Sequence, residues 1–405
     1  MKLVRWIAAA ALATSLHAQD LAVRAERVHT VSGATIENGV VLVRGGKIAA
    51  VGPAASVAIP QGVRTLTAKV ATPGLIDAHT VVGLAGYLNQ PQDQDQHDPT
   101  APIQPELRAI DAYNARERLV EWLRGFGVTT IHTGHGPQAL ISGQTMVAKT
   151  RGDTLDEAVI VPAAMLSVTL GEGSRDEGKG KSPGTAGKQL ALLREAFLGA
   201  QDYQRKLRET GADPSKRPDR DLRKEALVEA LEGRLAVLVT AQRHQDIVSA
   251  LRLGREFGLR IVLDGASEAY VVLDEIRAAS VPVIAHAPMA RFAGELENAS
   301  RTTPKKLLDA GIRFAFQSGY ESYVPKTRVV LYEAAISTAY GLTPDAALRA
   351  ITLDAARILG LDARLGSLEV GKDGDLALYD GDPFEYTTHC IATIIEGAVV
   401  FEGAR

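Results

Sequence analysis

Residues 70–80, VATPGLIDAHT, and the Val81 that follows them are the most informative stretch of this chain. A buried apolar run ends there in an acid and a histidine, as in a barrel of parallel strands that delivers polar side chains to its carboxyl-end face. Side chains at positions i and i+2 of a strand point to the same face. A second histidine two residues after His79 would therefore address the same metal ion, but that position holds Val81. The stretch predicts a fold and an incomplete metal site.

The composition favours an α/β enzyme and excludes several other classes of protein. The 405 residues carry a net charge of −3 with both signs dispersed, which indicates neither a nucleic-acid partner nor an anionic membrane surface. The chain is long enough for a large domain and a smaller one. Its single cysteine, Cys390, excludes an intrachain disulfide and a multi-cysteine metal cluster. We interpret Cys390 as a small buried apolar residue.

The first residues predict an export signal. Lys2 and Arg5 give a positively charged start, and residues 6–16 form an apolar, alanine-rich run. That run is shorter than the roughly 20 residues that a membrane-spanning helix needs. We assign residues 1–18 to a signal peptide and expect the mature protein to be periplasmic or secreted. No later stretch predicts an integral membrane segment.

The middle of the chain alternates strand-like and helix-like segments. The strand-like runs are PGLIDAH (73–79), GVTTIHTG (127–134), AAMLSVTL (163–170), LAVLVTA (235–241), LRIVLDG (259–265), VPVIAHAP (281–288) and IRFAFQSG (312–319). Amphipathic helices are predicted between several of them, for example over 246–257 and 268–279. Such alternation implies parallel pairing through right-handed crossovers. Residues 71–365 thus favour an α/β fold, a (β/α)8 TIM-like barrel, with a doubly wound sheet as the alternative.

Both ends of the chain are rich in short strands. Residues 19–70 and 366–405 alternate apolar and polar positions between glycine-rich turns, and the Gly45-Gly46 pair is typical of a hairpin. We predict that these two segments form one composite β-sandwich domain beside the barrel.

Four motifs together resemble the amidohydrolase superfamily, in particular its imidazolonepropionase-like and prolidase-like branch. They are VATPGLIDAHT (70–80), GVTTIHTGHG (127–136), DIVSALRLGREFGLRIVLDGASEAY (246–270) and ITLDAARILGLDARLGSLEVGKDGDLALYDGDP (351–383). The resemblance covers essentially the whole mature chain. It implies a distorted TIM barrel that holds one or two divalent metals and hydrolyses C–N bonds of cyclic amides or dipeptide-like substrates.

The same resemblance implies metal ligands at positions where this chain has other residues. The histidine pair of the first strand is His79 and Val81, and Thr240 holds the histidine position of the fifth strand. Asp264 stands where the sixth strand would carry a histidine. The last-strand aspartate falls near Ser318 and Gly319, where Glu321 is the nearest acid. Hydrolytic zinc takes three protein ligands and an open position, so these positions are too few for a binuclear centre.

Other histidines at strand ends are candidates to complete the site. His132 and His135 lie in IHTGHGP after the second strand, and with His79 they form the predicted metal ligands, zinc being the preferred ion. Asp264 and His286 are the predicted catalytic acid–base residues. The structural alternative is that His132 and His286 are satisfied core histidines and that His135 caps a tight loop.

Two further segments bear on the site. The long polar segment 82–114 is predicted to be a lid over the barrel mouth, with its acids solvated. Lys149 is interpreted as an exposed strand lysine, with anion binding as the alternative.

The sequence therefore predicts an exported hydrolase of carbon–nitrogen bonds with an atypical, at most mononuclear, metal site. Its partner is a small-molecule substrate, a cyclic amide or a dipeptide-like compound, and no nucleic acid is expected. The alternative is a catalytically inactive protein of the same fold that binds a small ligand or serves as partner subunit of an active homologue. Homo- or hetero-oligomers with a related amidohydrolase fit either reading.

Overall fold

The computed structural model describes residues 20–175, 183–209, 215, 217–320 and 329–403, so the predicted signal peptide and Glu321 lie outside the described residues. The strands in these ranges are β1 Leu21–Val28, β2 Ile36–Arg44, β3 Lys47–Pro53, β4 Arg64–Pro73, β5 Leu75–Thr80, β6 Val128–Thr133, β7 Ile141–Gln144, β8 Met146–Lys149, β9 Val159–Val161, β10 Met165–Thr169, β11 Ala236–Ala241, β12 Ile261–Gly265, β13 Val283–Ala285, β14 Phe314–Phe316, β15 Leu376–Tyr379, β16 Cys390–Ile395 and β17 Ala398–Glu402. The α-helices are α1 Arg118–Arg124, α2 Leu155–Ala158, α3 Ala186–Glu209, α4 Leu222–Leu231, α5 His244–Phe257, α6 Leu273–Ala279, α7 Thr303–Asp309, α8 Val330–Thr338, α9 Pro344–Ala350 and α10 Leu353–Ile358.

Strands from the two ends of the chain share one sheet. Its seven strands lie in the order β17-β16-β15-β4-β1-β2-β3, and β15 pairs antiparallel with β4. Gly45 and Gly46 connect β2 to β3 with φ angles of 53° and 80°, a left-handed conformation that glycine adopts without strain. The two segments thus form one seven-stranded sheet, and their division into a β-sandwich domain stays a prediction.

All seven strand-like runs of the central region form strands: β5, β6 and β10 to β14. Strands β10 to β14 pair in parallel within a six-stranded sheet, and β5 pairs in parallel with β6 in a four-stranded one. Antiparallel strands are inserted between these groups, since β7 pairs with β10 and β8 with β6. The fold is therefore mixed α/β, and among the described strands the pairing does not close a barrel.

The first and last parallel strands of the central region are joined at their carboxyl ends. The backbone N–H of Ser318, after β14, donates to Asp77 Oδ1 of β5 at 3.0 Å. Asp264 of β12 is paired in register with Thr240 of β11 on one side and with Ile284 of β13 on the other. The carboxyl ends of β5, β11, β12 and β14 thereby converge on one polar cluster.

Helix α5 shows how the helices pack on this framework. Its apolar residues recur at three- and four-residue spacing, and Ile247, Ala250, Leu251 and Phe257 are buried. The helix ends at Gly258, whose φ of 68° provides a left-handed C-terminal cap. The predicted helix over 246–257 is thus confirmed, while the predicted helix over 268–279 begins only at Leu273 as α6.

The interpretation of Lys149 as an exposed strand lysine is wrong. Its side chain is 1% exposed and its ammonium group forms ion pairs with Asp373, at 3.1 Å, and with Asp375. Lys47 and Arg364 also pair with Asp373, at 2.5 and 2.9 Å. Asp373 and Asp375 precede β15, which belongs to the seven-stranded sheet formed by the two ends of the chain (the terminal sheet). This cluster therefore fastens strand β8 of the central region to the terminal sheet. A charged group buried in the interior is stabilised by such oppositely charged partners.

Candidate functional site

The polar cluster at the strand ends is centred on His79 and Asp264. His79 Nδ1 lies 2.9 Å from Asp264 Oδ1, and the two side chains are 4% and 3% exposed. Asp264 is held on both oxygens, because Thr240 Oγ1 donates to Oδ2 at 2.7 Å and Gln317 Nε2 donates to Oδ1 at 2.9 Å. Thr240 and Gln317 thus fix the Asp264 carboxylate against one nitrogen of His79.

Each member of the pair favours the charged form of the other. Burial by itself lowers the pKa of His79, but the Asp264 carboxylate outweighs burial and raises that pKa above 6.5. Burial by itself raises the pKa of Asp264, but His79 and the Thr240 hydrogen bond bring it below 3.8. Below the pKa of His79 the pair is therefore a buried imidazolium–carboxylate, and above it His79 is a neutral base.

The other ring nitrogen of His79 is available for chemistry. Within the described part of the chain, Nε2 is buried and has no hydrogen-bond partner. His79 lines a small cavity of about 60 Å³ together with Asp264, Thr240, Gln317 and Tyr320. A histidine that lines a cavity, with one nitrogen oriented by a carboxylate and the other without a partner among the described residues, is suited to general-base catalysis.

A second acid, Asp77, lies beside the pair on strand β5. Its Oδ1 accepts hydrogen bonds from the backbone N–H groups of Ser318, at 3.0 Å, and His79, at 3.3 Å. Its Oδ2 is buried and has no partner among the described residues. Burial raises the pKa of Asp77 to about 6, against the lowering effect of those hydrogen bonds. Asp77 thus fastens the first strand to the last at the cost of burying a carboxyl group.

Asp77→Asn is expected to remove a pH-dependent loss of stability. A folded-state pKa of about 6 instead of 3.8 means that the wild-type protein loses stability as the pH rises through this interval. The loss is roughly 3 kcal/mol, since one pKa unit corresponds to about 1.4 kcal/mol. Asparagine keeps an oxygen that can accept from Ser318 and His79 but carries no charge. The free energy of unfolding of the variant should therefore lack this decline.

Urea unfolding of both proteins at about pH 4 and about pH 7.5 measures the effect. Asp95→Asn, which removes an exposed acid from the loop after β5, is the matched control and should follow the wild-type. An Asp77→Asn protein whose stability declines with pH in parallel with the wild-type would refute the expectation.

His132, one of the predicted metal ligands, is 5.7 Å from His79 between ring centroids and has both nitrogens engaged. Its Nδ1 donates to the backbone oxygen of Ala78 at 2.7 Å, and its Nε2 lies 2.6 Å from Thr145 Oγ1. Burial lowers its pKa to about 3, so the ring is neutral and Nε2 accepts from the Thr145 hydroxyl. These contacts describe a structural histidine that ties β6 to its neighbours.

The other two predicted histidines have different surroundings, His135 beside the segment 82–114 and His286 at the outer cavity. His135 is 6% exposed, burial lowers its pKa to about 4, and its nearest charged groups are Asp98 and His97 of the segment 82–114. That segment is also attached to the end of β6, because Gly136 N donates to Gln96 O at 2.7 Å. His286 follows β13 and lines a larger outer cavity. The structure therefore brings together His79, Asp264 and His132, but not His135.

The residues at this site do not fit the metal that the resemblance implies. His79 uses one nitrogen for Asp264 and His132 uses both for protein groups, while Val81, Thr240 and Gln317 surround them without ionisable donors. Within the ranges that the structure describes, no group of three His, Cys, Asp or Glu side chains is placed so that it could hold a metal ion. Zinc in hydrolases takes three such ligands.

The inner cavity adjoins a larger outer one of about 470 Å³. Both are lined by Pro137, Gln242, Gln317, Gly319 and Tyr320, so the outer cavity borders the site of the His79–Asp264 pair. This volume is in the range of binding sites for small organic ligands.

Sequence reasoning missed Asp77 and Gln317 as members of the site. Asp77 stands in the opening motif, two residues before His79, so its side chain shares the face of that histidine. Gln317 directly follows β14, at the carboxyl-end face where Ser318 was considered. The position at a strand end was the available signal for both residues. Gln317 was missed because the candidate residues were restricted to acids and histidines.

Comparisons with known proteins agree with this fold. The Amidohydrolase family (Amidohydro_3) matches residues 284–401. An imidazolonepropionase from Solibacter usitatus is 24% identical over 392 residues, 91% of each chain. The amidohydrolase tasK of Hapsidospora irregularis is 24% identical over 358 residues, and the match spans 82% of this chain but only 36% of that protein. The crystal structure of an amidohydrolase from Thermotoga maritima superposes with a TM-score of 0.89 at 25% identity and covers 95% of this chain and 100% of that one.

These similarities support the amidohydrolase superfamily, as the four motifs predict. The similarity to imidazolonepropionases also includes short segments, such as 50 residues at 54% identity in the enzyme of Sphingopyxis alaskensis, and supports the imidazolonepropionase-like and prolidase-like branch. At the level of the family, its members are hydrolases that act on carbon–nitrogen bonds.

Proposed function

We propose that this chain hydrolyses a carbon–nitrogen bond of a small cyclic or dipeptide-like amide, with the His79–Asp264 pair as the general base. The observation that carries the proposal is the state of His79: Nδ1 is oriented by a fixed carboxylate at 2.9 Å, Nε2 has no partner among the described residues, and the side chain lines a cavity. Similarity to amidohydrolases, a family of C–N hydrolases, supports the reaction class.

In the proposed reaction, water is the second reactant and His79 carries the proton from water to the leaving nitrogen. Neutral His79 takes a proton from a water molecule through Nε2 while the water oxygen attacks the amide carbonyl carbon. Asp264 keeps the Nδ1 proton in place and stabilises the imidazolium that forms, as the carboxylate does in a Ser-His-Asp triad. The imidazolium then returns the proton to the leaving nitrogen, and the C–N bond breaks to give a carboxylic acid and an amine.

A metal, where one is bound in this family, supplies a Lewis acid and an activated water. The residues of this site offer it too few donors, so the proposal assigns the activation of water to His79. This departs from the at most mononuclear zinc site that the sequence predicts with His79, His132 and His135 as ligands.

The rival function belongs to another class: a catalytically inactive protein that binds a small ligand or partners an active homologue. The presence of Val81 and Thr240 at ligand positions favours it. Binding of a small amide in the outer cavity without turnover would support the rival.

His79→Gln is expected to abolish hydrolysis. The test uses the mature full-length protein after treatment with a chelator, with and without added zinc, on a panel that includes an imidazolone propionate and Xaa-Pro dipeptides. Product amine is quantified by mass spectrometry. We expect hydrolysis that survives chelation and falls at least about 100-fold in His79→Gln. Hydrolysis that persists in the variant, or that needs added zinc, would overturn the proposal.

Export is a separate part of the proposal. The positively charged start and the apolar run over residues 6–16 support cleavage after Ala18, and among the described residues no helix is long and apolar enough to cross a membrane. Mass spectrometry of the protein recovered from a cell-envelope extract tests the cleavage, since a mature chain that begins at Gln19 is expected.

A further inference from the structure

The inner cavity beside His79 has no arginine or lysine among its described lining residues. When water adds to an amide, the carbonyl oxygen becomes negatively charged, and preorganised hydrogen-bond donors stabilise such a charge effectively. In this cavity the donors for an oxyanion therefore come from neutral side chains or from the backbone.

Three of the neutral side chains already have partners. Thr240 Oγ1 and Gln317 Nε2 donate to the two oxygens of Asp264, at 2.7 and 2.9 Å. The Thr80 hydroxyl accepts from Ser318 Oγ at 3.2 Å. Besides histidine 79, the remaining lining side chains with an N–H or O–H donor are a glutamine and a tyrosine, and both also line the outer cavity.

The glutamine, Gln242, has a carboxamide that is held in place. Its Oε1 accepts from the backbone N–H of Ser267 at 3.3 Å. A methyl group built on Gly265 would lie 2.4 Å from Gln242 Nε2 and 2.8 Å from Cδ, so the carboxamide rests directly on this glycine. Gly265 has a φ of 73°, which glycine adopts without strain. Among the contacts of the described residues, Nε2 donates no hydrogen bond, so an oriented donor is left at the cavity.

The tyrosine, Tyr320, supplies a phenol hydroxyl. Gln138 Nε2 donates to Tyr320 Oη at 2.6 Å, so the hydroxyl is an acceptor in that contact and its own hydrogen is directed elsewhere. Burial raises the pKa of Tyr320, although a hydrogen bond with Gln96 lowers it in part. The hydroxyl is therefore protonated at neutral pH and can donate. Its ring lies against Gly136, where a methyl group would be 3.2 Å from Cε2.

We propose that Gln242 Nε2 and Tyr320 Oη bind the oxyanion of the tetrahedral intermediate in amide hydrolysis. The inference rests on the proposed function for the position of the scissile bond beside His79. As the water oxygen bonds to the carbonyl carbon, the π electron pair of the C=O bond moves to the carbonyl oxygen, to which both side chains donate. When that pair returns, the C–N bond breaks and the leaving nitrogen takes its proton from His79. Gln242 and Tyr320 are then catalytic residues that stabilise charge and transfer no proton.

The experiment compares two probes that differ at the scissile group. N-acetylalanine has a planar, neutral amide, and N-(methylphosphonyl)alanine has a tetrahedral, anionic group in its place. Their Kd values are measured by calorimetry on the full mature chain carrying His79→Gln, so that turnover does not interfere.

In this background Gln242→Met and Tyr320→Phe each remove one donor and keep most of the side-chain volume. The matched controls are Gln201→Met, which changes an exposed glutamine of α3, and Tyr340→Phe, which removes the hydroxyl of a tyrosine that is 42% exposed.

We expect the phosphonyl probe to bind at least about 100-fold more tightly than the acetyl probe, as analogues of a transition state do. This preference should fall at least about tenfold in Gln242→Met and in Tyr320→Phe, and it should persist in both controls. No measurable preference, whether both probes bind equally or neither binds, would overturn the inference, and so would a preference that either variant leaves unchanged.

The readout is independent of hydrolysis, so the two proposals can fail separately. Loss of the inference through unchanged preferences leaves the role of His79 as a base untouched. A wild-type protein that hydrolyses no amide, while the phosphonyl probe is bound through both donors, would refute the proposed function alone.

Discussion

Asp264→Asn is expected to lower kcat/KM for amide hydrolysis by about 10³, with the protein still folded. Asparagine can present its oxygen or its amide group to His79 Nδ1, so the tautomer of the imidazole is no longer fixed. It also removes the negative charge that stabilises the imidazolium during the reaction. Both losses act on the transition state, so kcat should fall more than KM rises.

The pH profile separates this effect from a simple distortion of the site. In the wild-type, Asp264 raises the pKa of His79 above 6.5, so activity should fall as the pH drops through that raised pKa. In Asp264→Asn, burial still lowers the pKa of His79 and only Asp77 remains to raise it, so that pKa should fall. The acidic limb of the profile should therefore move to lower pH while the plateau falls.

Thr240→Val provides the graded comparison. It removes one hydrogen bond, of 2.7 Å, to Asp264 and keeps the charge, so a loss of no more than about tenfold and a nearly unchanged acidic limb are expected. Equal activities of Asp264→Asn and wild-type protein would contradict the role of the pair. A plateau that falls without movement of the acidic limb would show that Asp264 does not set the pKa of His79.

The strands and helices were predictable because their signals are local. Each of the seven strand-like runs has a buried apolar stretch between turn residues, and each forms a strand. The antiparallel insertions were not predicted: β7 to β9 occupy residues between the parallel strands β6 and β10 and are short enough to escape notice. The pairing of β7 to β9 decides whether the parallel strands form one continuous sheet. The closure of the predicted barrel therefore depends on the strands with the weakest sequence signal.

The composition of the site was only partly predictable because its contacts are long-range. His79 and Asp264 are 185 residues apart, and their strand-end positions alone indicated both. That Thr240 and Gln317 hold the carboxylate depends on the register of β11, β12 and β14, which residue types do not reveal. His132 shows the opposite case. Its strand-end position suits a metal ligand, yet both its ring nitrogens are hydrogen-bonded, to Ala78 O and to Thr145 Oγ1.

Lys149→Met is expected to cost about 3–5 kcal/mol of unfolding free energy, the range for removing one partner of a buried ion pair. The variant leaves Asp375 without its ammonium partner and removes one of three cations from Asp373, which is 1% exposed. Because these acids precede β15, the loss weakens the attachment of the terminal sheet to β8. Methionine fills a similar volume, so the cost reports charge burial and not a cavity.

Urea unfolding of Lys149→Met and of two further variants measures this effect. Lys305→Met removes a lysine whose pair with Asp309 is largely exposed, and it should change stability by less than about 1 kcal/mol. The double variant Lys149→Met/Asp375→Asn should recover part of the loss, because the unpaired buried charge is then gone. Similar small losses in both single variants would mean that the buried cluster contributes no more than a surface pair. In that case the apolar contacts between β8 and the terminal sheet, and not the charges, would hold the two sheets together.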